Sequence, residues 1–166
     1  MTDVRVVRLT ESDCDAARKT FAMMAQVLGD GYSELSEAWV KKLLRNDSFW
    51  AVAAFAGGEA VGGVTAHTLP MTNGEFSELF LYDVAVARNH QRLGIGRRMI
   101  QWLRQAASAA GKQVVFVPAE NKDIHALDFY KGLGGEPLEA TFFTFAPLPK
   151  ARTGQMLNPI RESRDA

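Results

Sequence analysis

The feature that most constrains the fold is a strand, a glycine loop, a helix and a second strand that follow one another between Phe76 and Val117. Phe76–Val86 is the longest run with strand character, and the loop QRLGIG occupies residues 91–96. Apolar residues then recur every three or four positions, which predicts an amphipathic helix that Gly111 ends. Gln113–Val117 is a short apolar run that predicts a buried strand. Two strands joined through a helix in this way are parallel, with a right-handed crossover.

The rest of the chain predicts helices and antiparallel strands around this unit. The predicted elements are a strand at Val4–Leu9, a helix that ends at Gly29, a helix from Ser36 with Trp39, Val40, Leu43 and Leu44 inward, an antiparallel hairpin of Phe49–Phe55 and Val61–Leu69, a helix over Asp123–Leu133, and a last strand at Ala140–Phe145. This order predicts an α/β fold with a mixed sheet that is covered by helices.

Composition narrows the class of protein. The chain has 166 residues, of which 47% are hydrophobic, which suits a single core. We expect one domain over residues 1–146 and a tail, residues 147–166, that lies on the surface or is disordered. Nineteen basic and nineteen acidic residues cancel, so no global charge attracts nucleic acid or a membrane surface.

Cysteine and histidine usage argue against metal and disulfide sites. Cys14 is the single cysteine, and the three histidines are not spaced with carboxylates as metal ligands. The chain also has no apolar run of ~18 residues and no signal-peptide pattern. We therefore expect a cytoplasmic protein with no metal, no nucleic-acid partner and no membrane partner.

The glycine loop has the form of an anion site. A strand that runs through glycines into a helix leaves backbone N–H groups at the positive end of the helix dipole. Gly94 and Gly96 would let a phosphate approach the backbone without a Cβ in the way. The segment from Arg88 to Ala119 also contains six basic residues and no acidic one. Two plainer interpretations stay open, a tight turn for the glycines and a solvated helix face for the charges.

Two nucleotide-binding loops are disfavoured. A P-loop needs G-x-x-x-x-G-K-[ST], but Gly96 is followed by Arg97 and Arg98. A dinucleotide fingerprint belongs to the first strand of a parallel sheet and wants an acidic residue ~20 positions beyond the loop. Neither condition holds, which argues against a nucleoside triphosphate and against NAD.

The pattern of strand, Q-x-x-G-x-G, helix, strand and a helix with ALDFYKGLG resembles the GNAT superfamily of acetyl-CoA-dependent N-acetyltransferases over roughly Val4–Phe145. The resemblance implies a GNAT fold, with a mixed sheet of six to seven strands, helices on both faces and a splay between the fourth and fifth strands. It implies acetyl-CoA as co-substrate and no metal. Loop amides would bind the CoA diphosphate, and the preceding strand would bind the pantetheine arm. The cofactor-binding residues so implied are Val84, Ala85, Val86, Gln91, Arg92, Leu93, Gly94, Ile95, Gly96, Arg97, Phe129 and Tyr130.

The stretches SELFLYDVAV, VVFVPAENKD and ALDFYKGLG are more closely similar to the aminoglycoside 3-N-acetyltransferases of the gentamicin-resistance type. This resemblance implies acetyl transfer to the 3-amino group of an aminoglycoside by direct attack, and hence antibiotic resistance. The partner would be an aminoglycoside or another small cationic amine, and a homodimer is the assembly to expect. Two alternatives stay open. One is a GNAT enzyme for a polyamine, a small metabolite amine or a protein N-terminus, and the other is a noncatalytic CoA-binding sensor.

Three residues are candidate catalytic groups: Tyr130, Asp83 and Glu120. A phenol with a pKa of ~10 can donate a hydrogen bond to a departing thiolate, whose thiol has a pKa of ~8.5. This is the general-acid role of Tyr130, and a core tyrosine is the alternative. Asp83 lies mid-strand, where a carboxylate is unusual. The resemblance implies that it binds the substrate amine or accepts its proton, and a buried, salt-bridged aspartate is the alternative.

Four carboxylates are candidates for binding the substrate: Asp83, Glu120, Asp123 and Glu78. Glu120 and Asp123 follow the second strand of the parallel pair at its carboxyl end, where ligands bind. An exposed acidic loop, or for Asp123 an N-cap, would explain them equally. Strand alternation puts Asp83 opposite Glu78, so a shared pocket needs a β-bulge, which the family resemblance implies.

Overall fold

The computed structural model, which describes residues 3–29, 31 and 33–148, contains a mixed five-stranded sheet. The strands are β1 (Val4–Arg8), β2 (Phe49–Ala56), β3 (Glu59–Pro70), β4 (Ser77–Val86) and β5 (Lys112–Phe116). They lie side by side in chain order. β1 to β4 pair antiparallel, and β4 pairs parallel with β5. The predicted hairpin and the predicted parallel crossover are both confirmed.

Four helices cover the two faces of this sheet. They are α1 (Cys14–Leu28), α2 (Glu37–Leu44), α3 (Ile95–Ala109) and α4 (Ile124–Lys131). The first core packs Ala17 of α1 and Val40 of α2 against Ala51 and other residues of β2. The second packs α3 against the opposite sheet face, with Leu103 among its buried side chains. β2 is buried on both faces because a helix layer covers each of them.

Local signals end the helices where the sequence predicts. Gly29 follows α1 with a left-handed φ of 80°, and Gly111 follows α3 with a φ of 70°. A backbone without a Cβ takes this conformation at little cost, so glycine ends a helix readily. The side chain of Ser36 accepts a hydrogen bond from the amide of Trp39 at 3.2 Å and caps α2.

Three expectations about the elements are wrong. The described sheet has five strands, not six or seven, because residues 136–148 contain no helix or strand and the strand predicted at Ala140–Phe145 is absent there. β5, expected to be buried, is the edge strand of the described sheet, and Val114 is 48% exposed. Trp39, expected to face inward, is 48% exposed, because Val40 occupies the core side of α2.

All these elements belong to a compact unit that ends at Gly135. The domain boundary predicted at residue 146 stays a prediction, and the tail from residue 149 lies outside the described residues. Across 3–29, 31 and 33–148, none of the helices combines the length and apolar character that crossing a bilayer requires.

Close packing between α1 and β3 depends on a glycine. A Cβ added to Gly63 would lie 2.4 Å from the sulfur of Met24 and 2.7 Å from a methyl carbon of Thr20. Both distances are far below van der Waals contact, so α1 can approach β3 only because Gly63 has no side chain.

We predict that Gly63→Ala lowers the free energy of unfolding by about 1–3 kcal/mol, because the added methyl group overpacks this contact. Urea unfolding of both proteins measures the difference. Gly31→Ala is the matched control, since nothing lies within 4 Å of a Cβ built there. Equal stability losses in the two variants would contradict the overpacking argument.

Candidate active site

The sheet opens between β4 and β5. Their pairing runs from Ser77 opposite Lys112 to Phe80 opposite Phe116 and stops there, while β4 continues to Val86. On its other side, β4 stays paired with β3 along its whole length. Within the described residues, the last six positions of β4 therefore have no strand partner on the β5 side, and the alternate residues whose backbone N–H and C=O groups point to that side form no ladder bonds there. The predicted splay between the fourth and fifth strands is confirmed.

A β-bulge in β4 turns Asp83 to a new face. Thr65 pairs with Asp83 and Ala66 pairs with Leu81, which leaves Tyr82 as the extra residue of β4. Leu81 is buried in the core under α3. Because of the extra residue, Asp83 points to the opposite face, the one that carries α1 and α2, and Glu78 shares that face. The bulge expected from the family resemblance is confirmed.

Asp83 lies at the wall of a cavity of about 310 Å³ between the sheet and helices α1 and α2. Most of the wall is apolar, and Thr65, His67, Tyr82 and Asp83 supply its polar groups. The hydroxyl of Thr65 donates a hydrogen bond to the Asp83 carboxylate at 3.2 Å. An apolar cavity of this size with a few convergent polar groups is typical of a small-molecule site.

A larger cavity, of about 790 Å³, lies at the start of α1 and contains none of the predicted site residues. Several of its charged side chains are already engaged, since Glu37 pairs with Lys41, Glu11 pairs with Arg45 and Asp13 accepts a hydrogen bond from Thr10. We therefore place the candidate site at the smaller cavity, beside the opening of the sheet.

The glycine loop forms a row of unpaired amides. Arg92 has a φ of 64° and Gly94 a φ of 78°. Left-handed residues of this kind are typical of loops in which successive N–H groups bind an anion. Arg98 donates the first hydrogen bond of α3, to the carbonyl of Gly94 at 3.0 Å. Within the described part of the chain, the six amides of Arg92, Leu93, Gly94, Ile95, Gly96 and Arg97 have no acceptor. The side-chain amide of Gln91 donates to the carbonyl of Val86 at 3.0 Å and so fastens the loop to the end of β4.

The two loop glycines serve different purposes. Nothing lies within 4 Å of a Cβ built on Gly94, so the space beside it is open to a ligand. A Cβ on Gly96 would lie 3.2 Å from the ring of Phe129 in α4. The sequence argument that both glycines make room for a phosphate is therefore incomplete, because Gly96 makes room for Phe129.

Two arginines of the basic segment bind backbone carbonyls that follow α4. Arg97 donates to the carbonyl of Gly132 at 3.1 Å, and Arg104 donates to the carbonyl of Leu133 at 3.2 Å. Both carbonyls lie just beyond the carboxyl end of α4, where positive charge is favourable. The basic residues of this segment that stay exposed and have no such bond are Arg88, Arg92 and Arg98.

Tyr130 is half-buried on α4, and its ring lies 5.2 Å from that of Phe129. Burial raises the pKa of Tyr130 to about 12, and the negative charges of Asp123 and Asp83 contribute to the rise. The phenol therefore stays protonated throughout the neutral range. The same effect indicates that Asp83 and Asp123 lie within electrostatic range of the Tyr130 hydroxyl.

The four carboxylates predicted to bind the substrate do not all lie at the cavity. Asp123 caps α4, since its carboxylate accepts a hydrogen bond from the amide of Ala126 at 2.9 Å, so the N-cap interpretation is confirmed. Glu120 is exposed on the loop after β5. Glu78 lies five positions before Asp83, which at ~3.3 Å per residue puts them roughly 15 Å apart. Binding roles for Glu120, Asp123 and Glu78 stay predictions.

Sequence reasoning missed three polar residues of the cavity wall: Thr65, His67 and Tyr82. His67 was considered only as a metal ligand. Alternation along β3 already puts Thr65 and His67 on one face, but the face of Tyr82 depends on the bulge. Within 3–29, 31 and 33–148, no three His, Cys, Asp or Glu side chains cluster as a metal site would require.

We predict that Tyr130 titrates with a midpoint of about 12, because burial and two carboxylates disfavour the phenolate. The ultraviolet absorbance of the chain minus that of Tyr130→Phe, followed against pH, isolates this group. Circular dichroism at each pH serves as the control for folding. A midpoint near ~10, the value of a solvated tyrosine, would contradict the described environment.

Comparison with known proteins now identifies the fold. The profile of the acetyltransferase (GNAT) family matches residues 14–134. The chain belongs to this family. The GNAT fold has here the five described strands, the open β4–β5 edge and the amide loop at the start of α3.

Several solved structures are similar to most of this chain. The aminoglycoside acetyltransferase meta-AAC0020, from an uncultured soil metagenomic sample and in complex with sisomicin, is 28% identical with a TM-score of 0.82, over 88% of this chain and 97% of that one. The aminoglycoside acetyltransferase HMB0005, also from soil, is 30% identical with a TM-score of 0.82, over 88% and 99%. AAC(6')-Iy in complex with CoA, at 15% identity and a TM-score of 0.75 over 89% and 97%, shares the fold.

Curated relatives cover less of the chain. N-acetyltransferase family 8 member 3 of Mus musculus is 29% identical over 110 residues, which are 66% of this chain and 47% of that protein. The chain thus spans about half the length of the curated relatives that it matches.

Proposed function

We propose that this GNAT protein transfers an acetyl group from acetyl-CoA to the 3-amino group of an aminoglycoside, and that this modification confers antibiotic resistance. The observation that supports the proposal is the row of loop amides without an acceptor beside the end of β4, where the pairing with β5 has stopped. The two soil aminoglycoside acetyltransferases support the choice of acceptor.

The loop is suited to the diphosphate of CoA. Six amides without an acceptor, at the positive end of the α3 dipole, provide the donors that a diphosphate needs. Gly94 leaves the space beside these amides open. In this proposal Val84, Ala85 and Val86, at the end of β4 beyond its pairing with β5, bind the pantetheine arm together with Phe129 and Tyr130 of α4.

In this proposal Asp83 prepares the attacking amine. Its carboxylate binds the substrate ammonium and accepts a proton, so that the nitrogen carries a free electron pair. The nitrogen then forms a bond to the acetyl carbon, the bond from that carbon to sulfur breaks, and the nitrogen gives its second proton to water, which leaves a neutral amide. Thr65 holds the carboxylate through a hydrogen bond of 3.2 Å.

Tyr130 stabilises the departing sulfur by a hydrogen bond. With a pKa of about 12 the phenol is a weaker acid than an alkyl thiol, whose pKa is ~8.5. Complete proton transfer from Tyr130 to the thiolate is therefore unfavourable. A hydrogen bond leaves the proton on Tyr130, so the difference in pKa does not oppose it. Tyr130 acts as a neutral donor to developing negative charge, and the thiolate takes its proton from water.

The acceptor binds through charge and shape together. The cavity of about 310 Å³ gives an apolar wall, and Asp83 gives one carboxylate. An aminoglycoside carries further ammonium groups, and Glu120, Asp123 and Glu78 are the carboxylates available to them in this proposal. Acetylation removes one positive charge from the drug, which weakens its electrostatic attraction to RNA phosphates.

The function is tested by release of free thiol from acetyl-CoA in the presence of gentamicin or sisomicin, with the acetylated nitrogen located by NMR. Product at the 3-amino group supports the proposal. Product at another nitrogen would contradict the assigned position. Turnover of spermidine or a peptide N-terminus, with none of any aminoglycoside, would overturn the acceptor. Binding of acetyl-CoA without any turnover would favour a sensor.

We predict that Gly94→Val weakens acetyl-CoA binding by about tenfold or more, because a branched side chain strains the left-handed φ of 78° and blocks the open space. Calorimetry measures the affinity. Gly58→Val is the matched control, since Gly58 has a φ of 87°, open space around its Cβ position and a location in the β2–β3 turn. If both variants keep full affinity, the loop is not the diphosphate site.

We predict that Asp83→Asn lowers kcat/KM by ~100-fold or more, because an amide neither accepts the proton nor attracts the ammonium. Steady-state kinetics with acetyl-CoA and sisomicin measure the loss. Glu75→Gln removes a carboxylate in the exposed β3–β4 turn and serves as the control. A loss smaller than about threefold would return Asp83 to a structural role.

A further inference from the structure

A row of aromatic rings crosses the sheet face that carries Asp83. From Phe49 the ring centroids follow at 5.4 Å to His67, 6.0 Å to Tyr82, 5.7 Å to Phe80 and 5.2 Å to Phe116. The row begins at the wall of the cavity and reaches the last paired position of β4 and β5. It therefore connects the acceptor cavity with the opening of the sheet.

Tyr82 is a member of this row whose side chain is largely exposed to solvent. Its side chain is 61% exposed, although its ring stands nearly perpendicular to both neighbours, at 81° to His67 and 79° to Phe80. Edge-to-face contacts on two sides restrict the ring without burying it. Burial therefore does not explain a large aromatic group here, whereas a ligand that covers it would.

The bulge brings Tyr82 beside Asp83 on the same cavity. Tyr82 is the extra residue of β4, and in an unbroken strand it would point away from Asp83. Both side chains line the cavity in the actual strand. A carboxylate next to an exposed aromatic ring suits an ammonium group attached to a saturated ring, because the ammonium pairs with the carboxylate while the C–H bonds and the positive charge contact the aromatic face.

We propose that Tyr82 is a specificity-determining residue of the acceptor site, whose ring contacts the saturated ring that bears the reacting amine while Asp83 binds that amine. This inference rests on the proposed acetyl transfer and deepens it, since it names ring-borne amines as the preferred acceptors over linear polyamines. A linear polyamine would bury less apolar surface against the flat ring of Tyr82, so the ring would contribute less to its binding free energy.

Four variants and two acceptors test this role. Tyr82→Ala removes the ring, Tyr82→Leu keeps apolar bulk without a π face, and Tyr82→Phe keeps the face without the hydroxyl. Trp39→Ala is the matched control, because Trp39 is 48% exposed and lies outside the cavity. Sisomicin and spermidine are titrated by calorimetry, and KM is measured for each amine and for acetyl-CoA.

Tyr82→Ala is expected to raise the Kd and KM for sisomicin by about tenfold and those for spermidine by less than about threefold. The KM for acetyl-CoA and the melting temperature should stay near those of the unchanged chain, since Tyr82 is largely exposed. Tyr82→Phe should bind sisomicin like the unchanged chain, and Tyr82→Leu should lie between Phe and Ala. Trp39→Ala should change none of these constants.

Three results would overturn the inference. One is an unchanged sisomicin affinity in Tyr82→Ala, and another is an equal loss for both amines. The third is a parallel rise in the KM for acetyl-CoA, which indicates a general distortion of β4. Failure of the proposed function looks different, because the unchanged chain would then not turn over sisomicin, whether or not it turns over spermidine.

Discussion

The architecture depends on the unequal pairing of β4. Its antiparallel contact with β3 runs the full length of the strand, whereas its parallel contact with β5 ends at Phe80. The pairing with β3 holds β4 in the sheet, so the pairing with β5 can stop early while β4 remains a strand. Between Leu81 and Val86, backbone groups of alternate residues then point to a side without a strand, and the carbonyl of Val86 there accepts a hydrogen bond from Gln91 of the following loop. An opening of this kind accepts an extended ligand through main-chain hydrogen bonds.

Packing between α3 and α4 joins the loop to the tyrosine. The ring of Phe129 lies 3.2 Å from the position that a Cβ on Gly96 would take, and Arg97 and Arg104 donate hydrogen bonds to the carbonyls just beyond α4. The residue next to Phe129 is Tyr130, so any displacement of the loop would move the phenol with it. The short helix α4 has eight residues, too few to be stable alone, and these contacts from α3 are what hold it.

Features set by nearest neighbours along the chain were predictable from the sequence. Gly29 and Gly111 end helices because left-handed backbone favours glycine, and Ser36 caps α2 by a local hydrogen bond. Features set by distant partners were not. The exposure of Val114 depends on which strand is the edge, and the role of Gly96 depends on Phe129, 33 positions later. The bulge was foreseen through the family resemblance, but its placement at Tyr82 follows from the register with β3.

Charge divides the opening into two parts with different chemical roles. The loop side offers N–H dipoles and suits an anion, while the cavity side offers Asp83 and suits a cation. Tyr130 lies within the field of Asp83 and Asp123, and those charges help to keep its phenol protonated. In an acyl transfer, negative charge develops on the leaving sulfur, and a neutral donor stabilises that charge without itself losing a proton. Burial is the main cause of the raised pKa of Tyr130, and the carboxylates that would attract an ammonium add to it in the same direction.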